Sequence, residues 1–342
     1  MIKNLFKFVI LFTAFSWAVS CSEQEFYEWN EPVEDEEING STPDKPKPEP
    51  NPNPNPNPNP NPSPEPEPQP QPDPEKPSGY AGRIEVPTLK GGNMNIFHTW
   101  TTRENGKETV TYSYEYDCTK KHVRWVAFTF DNVTCQSKAD RSDAWKTDPN
   151  IPKQYQTSRD DYRRDKDYKP KPNEIYTKDY TRGHMVGSGD RVYSKAANEQ
   201  TFYYSNMSPQ QETGFNTGGG VWNNLEDQIQ DWAQIKNSSD TLYVVKGGTI
   251  DKNEHIREWT KTGVAVPKYY YMAIVSYKNK QYKGVAFWVE HKNNKTKNVK
   301  QYAMSIRDLE KMVNINFFSN LAPEIEEQVE THYTESDWSW RN

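Results

Sequence analysis

Between residues 43 and 77 of this 342-residue chain, proline stands at almost every second position, and residues 51–62 are a plain Asn-Pro repeat. Seventeen of the chain's 26 prolines lie in this stretch. Each proline fixes φ and removes a backbone donor, so neither helix nor sheet forms there. Such a segment is extended at ~3.1 Å per residue and reaches on the order of 100 Å. Folding is thereby confined to residues 80–342, long enough for one large domain with its own core. Charge divides at the same boundary. Residues 1–79 carry 5 Lys/Arg and 14 Asp/Glu, whereas residues 80–342 carry 37 and 34. The net charge of −6 is thus a property of the N-terminal part. The folding part is near neutral, so polyanion binding must come from local patches.

Residues 1–20 read as a secretory signal. Lys3 and Lys7 precede an apolar run at 8–19 that is too short to span a bilayer. Ala18-Val19-Ser20-Cys21 resembles a bacterial lipobox, which implies a lipid on Cys21 and a cell-envelope location, at the outer membrane or cell surface. The plain alternative is an ordinary signal peptide with a chance cysteine. Residues 21–79 are then a disordered, acidic, proline-rich tether. Glu23, Glu25 and Glu28 are compatible with export to the surface. Cys118 and Cys135 form an even pair in an oxidising compartment, so a disulfide is expected, with free thiols as the alternative. Closing that loop contributes ~3 kcal/mol.

Within the domain, β-branched and aromatic residues predict strands at 109–115 and 122–130, the second continuous enough to be buried on both faces. A long polar segment at 131–179 follows. Val221, Trp222, Leu225, Ile229, Trp232 and Ile235 fall on one stripe at helical spacing and predict a helix over 221–235. Strands are expected at 241–246, 269–277 and 284–290, and helices at 305–314 and 322–331. Strands around a helix, with helices gathered late, indicate an α+β domain with a central antiparallel or mixed sheet.

Tyr180-Thr181-Arg182-Gly183-His184-Met185 and Ser205-Asn206-Met207-Ser208-Pro209-Gln210 carry the chemistry. They place an imidazole beside an arginine and carboxamides, with no cysteine-histidine cluster for a tightly held transition metal. Phosphodiester hydrolysis needs a base near neutral pH, and histidine supplies one. It needs neutralisation of the phosphorane oxygens, which arginine's planar fork provides. It also needs a hard cation on the leaving group. Mg²⁺ keeps most of its waters, so one carboxamide suffices to hold it.

These two blocks, with Phe215-Asn216 and Trp222-Asn223-Asn224-Leu225-Glu226, resemble the DNA/RNA non-specific endonucleases of the ββα-metal superfamily. Their pattern is Asp-Arg-Gly-His, then Asn-x-x-Pro-Gln, then Asn, then Trp-x-x-Leu-Glu opening a helix. Arg141 with the following Trp145-Lys146-Thr147-Asp148-Pro149 resembles that family's arginine region. The resemblance runs over most of residues 93–342. It implies a ββα-metal nuclease fold with a mainly antiparallel sheet, and cleavage of DNA and RNA with Mg²⁺ or Mn²⁺. It also implies roles by position. His184 is the general base, and Asn216 the metal ligand at the start of the helix. Asn206 holds the site and orients His184 or the phosphate. Arg182 and Arg141 contact phosphate or stabilise the transition state. Glu226 lies in the metal's outer shell.

Thr181 stands where the family carries a carboxylate, and the interval from Asn216 to Glu226 is lengthened by glycines. Thr181 favours an alternative function: a catalytically weak or inactive lipoprotein of the same fold that binds nucleic acid. An antibacterial toxin is a third reading, opposed by the signal and tether. His98, His122, His255, His291 and His332 lack such context and read as structural or surface residues.

Overall fold

The computed structural model describes residues 77–162 and 180–341. The expected signal, Cys21 and nearly all of the expected tether lie outside the described residues. The chain divides into two units, the first spanning Met1–Pro70. The other compact unit spans Gln71–Asn342.

At the centre of this second unit is a seven-stranded sheet. The first hairpin is β1 (Asn95–Glu104) and β2 (Lys107–Asp117), followed by β3 (His122–Phe130). A separate two-stranded ribbon consists of β4 (Tyr180–His184) and β5 (Met207–Gln211), with a short helix α1 (Lys195–Gln200) between them. Then come helix α2 (Val221–Trp232), β6 (Thr241–Gly248), the small hairpin β7 (Ile256–Trp259) and β8 (Ala265–Pro267), β9 (Tyr269–Lys278), β10 (Gln281–Glu290) and β11 (Ala303–Met304). Helices α3 (Ile306–Val313) and α4 (Pro323–Thr331) follow. The sheet order is β1-β2-β3-β6-β9-β10-β11, with every adjacent pair antiparallel. Of the two sheet types left open by the sequence, the antiparallel one is present.

Alternation sorts the side chains into two cores. Tyr112, Tyr114, Phe128, Val244, Met272, Ile274 and Phe287 meet the α2 stripe Val221, Trp222, Leu225 and Ile229. Trp125, Ala127, Val245, Ala273, Val275 and Ala286 face Ile306, Leu309, Phe317, Phe318 and Val329. The result is a helix–sheet–helix sandwich of the α+β class. Strand β3 is buried along its whole length because both faces are covered.

The expected disulfide is absent: both thiols are free. Cys118 lies just before β3 and Cys135 five residues beyond its far end, so the nine residues of that strand separate them. That span is about 30 Å, whereas a disulfide needs Cα atoms within ~7 Å. Cys135 instead donates to the Ile235 carbonyl at 3.3 Å. Among the described residues, no helix is long and apolar enough to cross a membrane.

Candidate active site on the β4–β5 ribbon

The two motif blocks are pairing partners. In the β4–β5 register His184 faces Met207, Gly183 faces Ser208, Arg182 faces Pro209 and Thr181 faces Gln210. Gly183 allows this: a Cβ there would collide with the buried Gln210 side chain. The ribbon is tied to the central sheet through Ser208, whose hydroxyl bonds His122 Nε2 at 2.6 Å and the Tyr270 hydroxyl at 2.5 Å. His291 Nε2 accepts the Gln211 amide at 2.8 Å. Both histidines act as struts beneath the ribbon.

His184 ends β4. Its ring lies 4.9 Å from Phe202, edge to face, and 5.5 Å from Trp145. These aromatics converge because residues 145–148 pair with residues 202–205. Lys146 N–H donates to the Phe202 carbonyl at 3.3 Å, and Tyr204 N–H to the Lys146 carbonyl at 3.0 Å. Buried Asp148 locks that pairing, accepting from Ser205 Oγ at 2.5 Å and the Tyr114 hydroxyl at 2.7 Å. The same rings carry the two arginines. The Arg182 guanidinium stacks over Trp145 at 3.9 Å, and that of Arg141 over Phe202 at 4.8 Å. Arg182 has no ion pair among the described residues. Half-exposed Arg141 pairs with Asp143 at 2.8 Å. His184 Nε2 is enclosed and has no hydrogen-bond partner among the described residues. Burial, then Arg141 and Arg182, push its pKa down to about 3, so the imidazole is neutral.

Asn206 is almost fully buried, and its carboxamide is fully engaged. Oδ1 accepts the Val186 amide at 2.9 Å, while Nδ2 donates to the carbonyls of Val186 and Thr201 at 3.0 and 2.8 Å. The Met185 amide donates to the Asn206 carbonyl at 2.9 Å. Of the two roles the resemblance implied, this geometry serves the orienting of the segment after His184. It leaves no group of Asn206 free for phosphate.

Asn216 lies in a loop five residues before α2, not within the helix. The Phe215 carbonyl beside it accepts the Trp222 and Asn223 amides, so the loop caps the helix. The Phe215 ring stacks on Trp222 at 6.0 Å. Gly218 and Gly219 have φ of +63° and +75°, which places the glycines of this lengthened interval in a left-handed turn. The Asn216 carboxamide is partly exposed and hydrogen-bonds to no described residue. Gly220→Ala is expected to disturb this loop directly, since a Cβ would collide with the Phe215 backbone. We expect a loss of ~1–3 kcal/mol, read by thermal unfolding, together with reduced activity.

Glu226 is not free. Lys246 Nζ bonds its Oε1 at 3.1 Å and Asp190 Oδ2 at 3.0 Å. Gln230 also donates to Asp190 at 3.1 Å. Burial, with Asp190 adding to it, pushes Glu226 up to about 7 against the pull of Lys246. Asp190 is held down by Lys246 against its burial, and Lys246 stays charged between the two. Asp190 and Lys246 of this trio act on the His184 titration, the first raising it and the second lowering it. The site thus gathers His184, Arg182 and Arg141 around Trp145 and Phe202, with Glu226 bonded to the buried Lys246 of the trio. Sequence reading missed Lys246, Asp190 and Phe202. The available signal for Lys246 was a lysine inside an otherwise apolar strand, which must be paired when buried.

A metal fits this donor set in one way. Among the described residues no group of three His, Cys, Asp or Glu is placed to chelate an ion. A single unengaged carboxamide suits a hard cation that keeps its own water.

Comparison with known proteins agrees with this architecture. The chain is 26% identical to the mitochondrial nuclease EXOG of Xenopus laevis over 233 residues, covering 64% of this chain and 60% of that one. It is 24% identical to a nuclease of Nostoc sp. over 258 residues, covering 72% and 86%. The chain thus spans about 60% of the length of the EXOG relative. The fold matches a chain of the EndoG/EndoGI complex with a TM-score of 0.51 at 21% identity, covering 65% of this chain and 86% of that one. Residues 93–324, more than half of the chain, match the family of DNA/RNA non-specific endonucleases, and the chain belongs to that family.

Proposed function

We propose that this chain is a metal-dependent, sequence-non-specific endonuclease that hydrolyses DNA and RNA. The observation that carries this reading is the neutral, enclosed imidazole of His184 beneath two arginines stacked on shared aromatic walls. A Mg²⁺ or Mn²⁺ held by Asn216 supplies charge neutralisation at the phosphate and leaving oxygens when bound. The chain's own residues do the rest. Arg182, its plane fixed by Trp145, presents its donors to a phosphate oxygen, and Arg141 offers a second fork. His184 takes up the proton of the attacking water at Nε2, which hydrogen-bonds to no described residue. A phosphate bound between the arginines offsets the cations that depress His184, so substrate raises the basicity of the base. Asn206 fixes the backbone on which the base stands, and Lys246 holds Glu226 behind the site.

In the cell we place the domain on a proline-rich tether, lipid-anchored through Cys21 to the bacterial envelope after removal of residues 1–20. The lipobox-like residues 18–21 support this.

The test is metal dependence. Purified protein is expected to degrade plasmid DNA and RNA with Mg²⁺ or Mn²⁺, to stop when EDTA is added, and to recover on readdition of the metal. Activity persisting in EDTA refutes the metal role. A second reading rests on Thr181, where the family has a carboxylate. On that reading the protein binds nucleic acid without cutting it at any divalent metal, and the same titration separates the two.

A further inference from the structure

The hairpin β7–β8 carries the most exposed large hydrophobic side chain among the described residues, Trp259, at 47% exposure. A lone surface tryptophan needs no explanation, but this one is not alone. Lys120 Nζ lies 5.1 Å from its ring centroid, and Lys121 Nζ donates to the Thr262 carbonyl at 3.0 Å. Lys261 is exposed in the same turn. None of these three lysines forms an ion pair among the described residues. Two turns are stitched together to make the cluster: the Ala265 amide donates to the Lys120 carbonyl at 3.0 Å, joining β8 to the β2–β3 turn. The nearby Asp117 carboxylate is engaged by Thr119 and the Lys120 amide. The hairpin is also tied to the candidate active site. The Tyr180 hydroxyl donates to Glu258, the residue before Trp259, and Tyr180 begins the strand that ends in His184.

We infer that Trp259 with Lys120, Lys121 and Lys261 is a second nucleic-acid subsite, at which an unpaired base of the substrate strand stacks on the indole while the lysines track its backbone. An exposed aromatic face among unpaired cations is the chemistry that holds single strands without reading sequence. Tyr180 stands one strand length of β4, about 13 Å, from His184, and the Tyr180 side chain and Glu258 lie between it and Trp259, so the subsite grips the chain several nucleotides from the cut. It favours segments whose bases are free to swing out over those that are fully paired.

This inference rests on the nuclease reading, and the experiment separates them. The affinity of full-length protein for an oligothymidylate of about ten nucleotides is measured by anisotropy in EDTA, for wild type, Trp259→Ala and Trp259→Phe. Trp259→Ala is expected to weaken binding about tenfold and Trp259→Phe to restore most of it. With Mg²⁺, the ratio of kcat/KM on the long strand to that on a dinucleotide ester is expected to fall in Trp259→Ala. Lys120→Ala and Lys261→Ala should each flatten the slope of log Kd against log salt by about 0.7. Equal affinity of wild type and Trp259→Ala, with wild-type cleavage intact, overturns the subsite alone. A wild-type protein that neither binds nor cuts the strand overturns the nuclease reading and this inference together.

Discussion

His184→Ala is expected to lower kcat by about 10²–10⁴-fold while leaving thermal stability close to that of the wild type. The imidazole Nε2 hydrogen-bonds to no described residue, so removing it breaks no polar contact with them. The structural cost is the lost ring packing against Phe202 and Trp145. The measurement is kcat on a long single strand beside an unfolding curve for each protein. Retention of full kcat removes His184 from the role of base. The pH profile adds a second, independent check. The free-enzyme pKa of His184 is depressed to about 3, so the ring is already neutral throughout the mildly acidic range. A kcat/KM profile reports free-enzyme groups, and its His184 limb is therefore expected well below the usual 6.5 of histidine. Glu226, pushed up to about 7, is the other group able to give a limb near neutrality. A limb near 7 that vanishes in Glu226→Gln belongs to that carboxyl and not to the base.

The parts of this molecule that sequence makes legible are those in which one residue's chemistry dictates one outcome. His122 to Phe130 is an unbroken β-forming run, and the observed β3 has those bounds because both faces are covered. The stripe from Val221 to Ile229 is buried as its spacing requires, although the helix stops at Trp232, with Trp232 and Ile235 only partly covered. Strand β1 went unread because its residues are only half-buried and mostly polar at the sheet edge, leaving weak alternation. The β4–β5 ribbon also went unread as secondary structure. Its strands are short and contain Gly183 and Pro209, and pairing across about twenty residues leaves no local signal. Its motif residues were nonetheless visible as chemistry. What they do locally was not: the engagement of Asn206 with Val186 and Thr201, and of Glu226 with Lys246, depends on chain crossings that spacing does not encode. The disulfide was misread for the same reason, since cysteine parity says nothing about the length of strand between the two thiols.

Lys246→Met is expected to produce the largest stability loss of any single change at the site. The lysine is fully buried and bridges two carboxylates, at 3.0 Å from Asp190 and 3.1 Å from Glu226. Methionine fills similar volume and removes only the charge, so the packing against Phe128 is largely kept. Buried Asp190 and the partly buried Glu226 then face each other without a counter-ion. Removing one partner of a buried ion pair costs about 3–5 kcal/mol, which for a domain of this size lowers Tm by roughly 10 °C. The sign of the pH dependence follows from Glu226, whose folded pKa is already raised above its unfolded value. A raised carboxyl contributes most below its unfolded pKa and loses that contribution as pH rises through the folded one. Without Lys246 the folded pKa rises further, so the deficit of Lys246→Met is expected to be greatest above pH ~7 and smaller near pH ~5, where a protonated Glu226 can bond Asp190. Adding Glu226→Gln removes one of the facing charges and replaces it with a donor. The double variant is therefore expected to recover part of the loss, with the coupling read from a double-mutant cycle at both pH values. Additive losses that do not change with pH would show that Lys246 acts through packing and not through charge. Because Lys246 and Asp190 also bear on His184, recovery of stability without recovery of kcat would locate their influence in the electrostatics of the base.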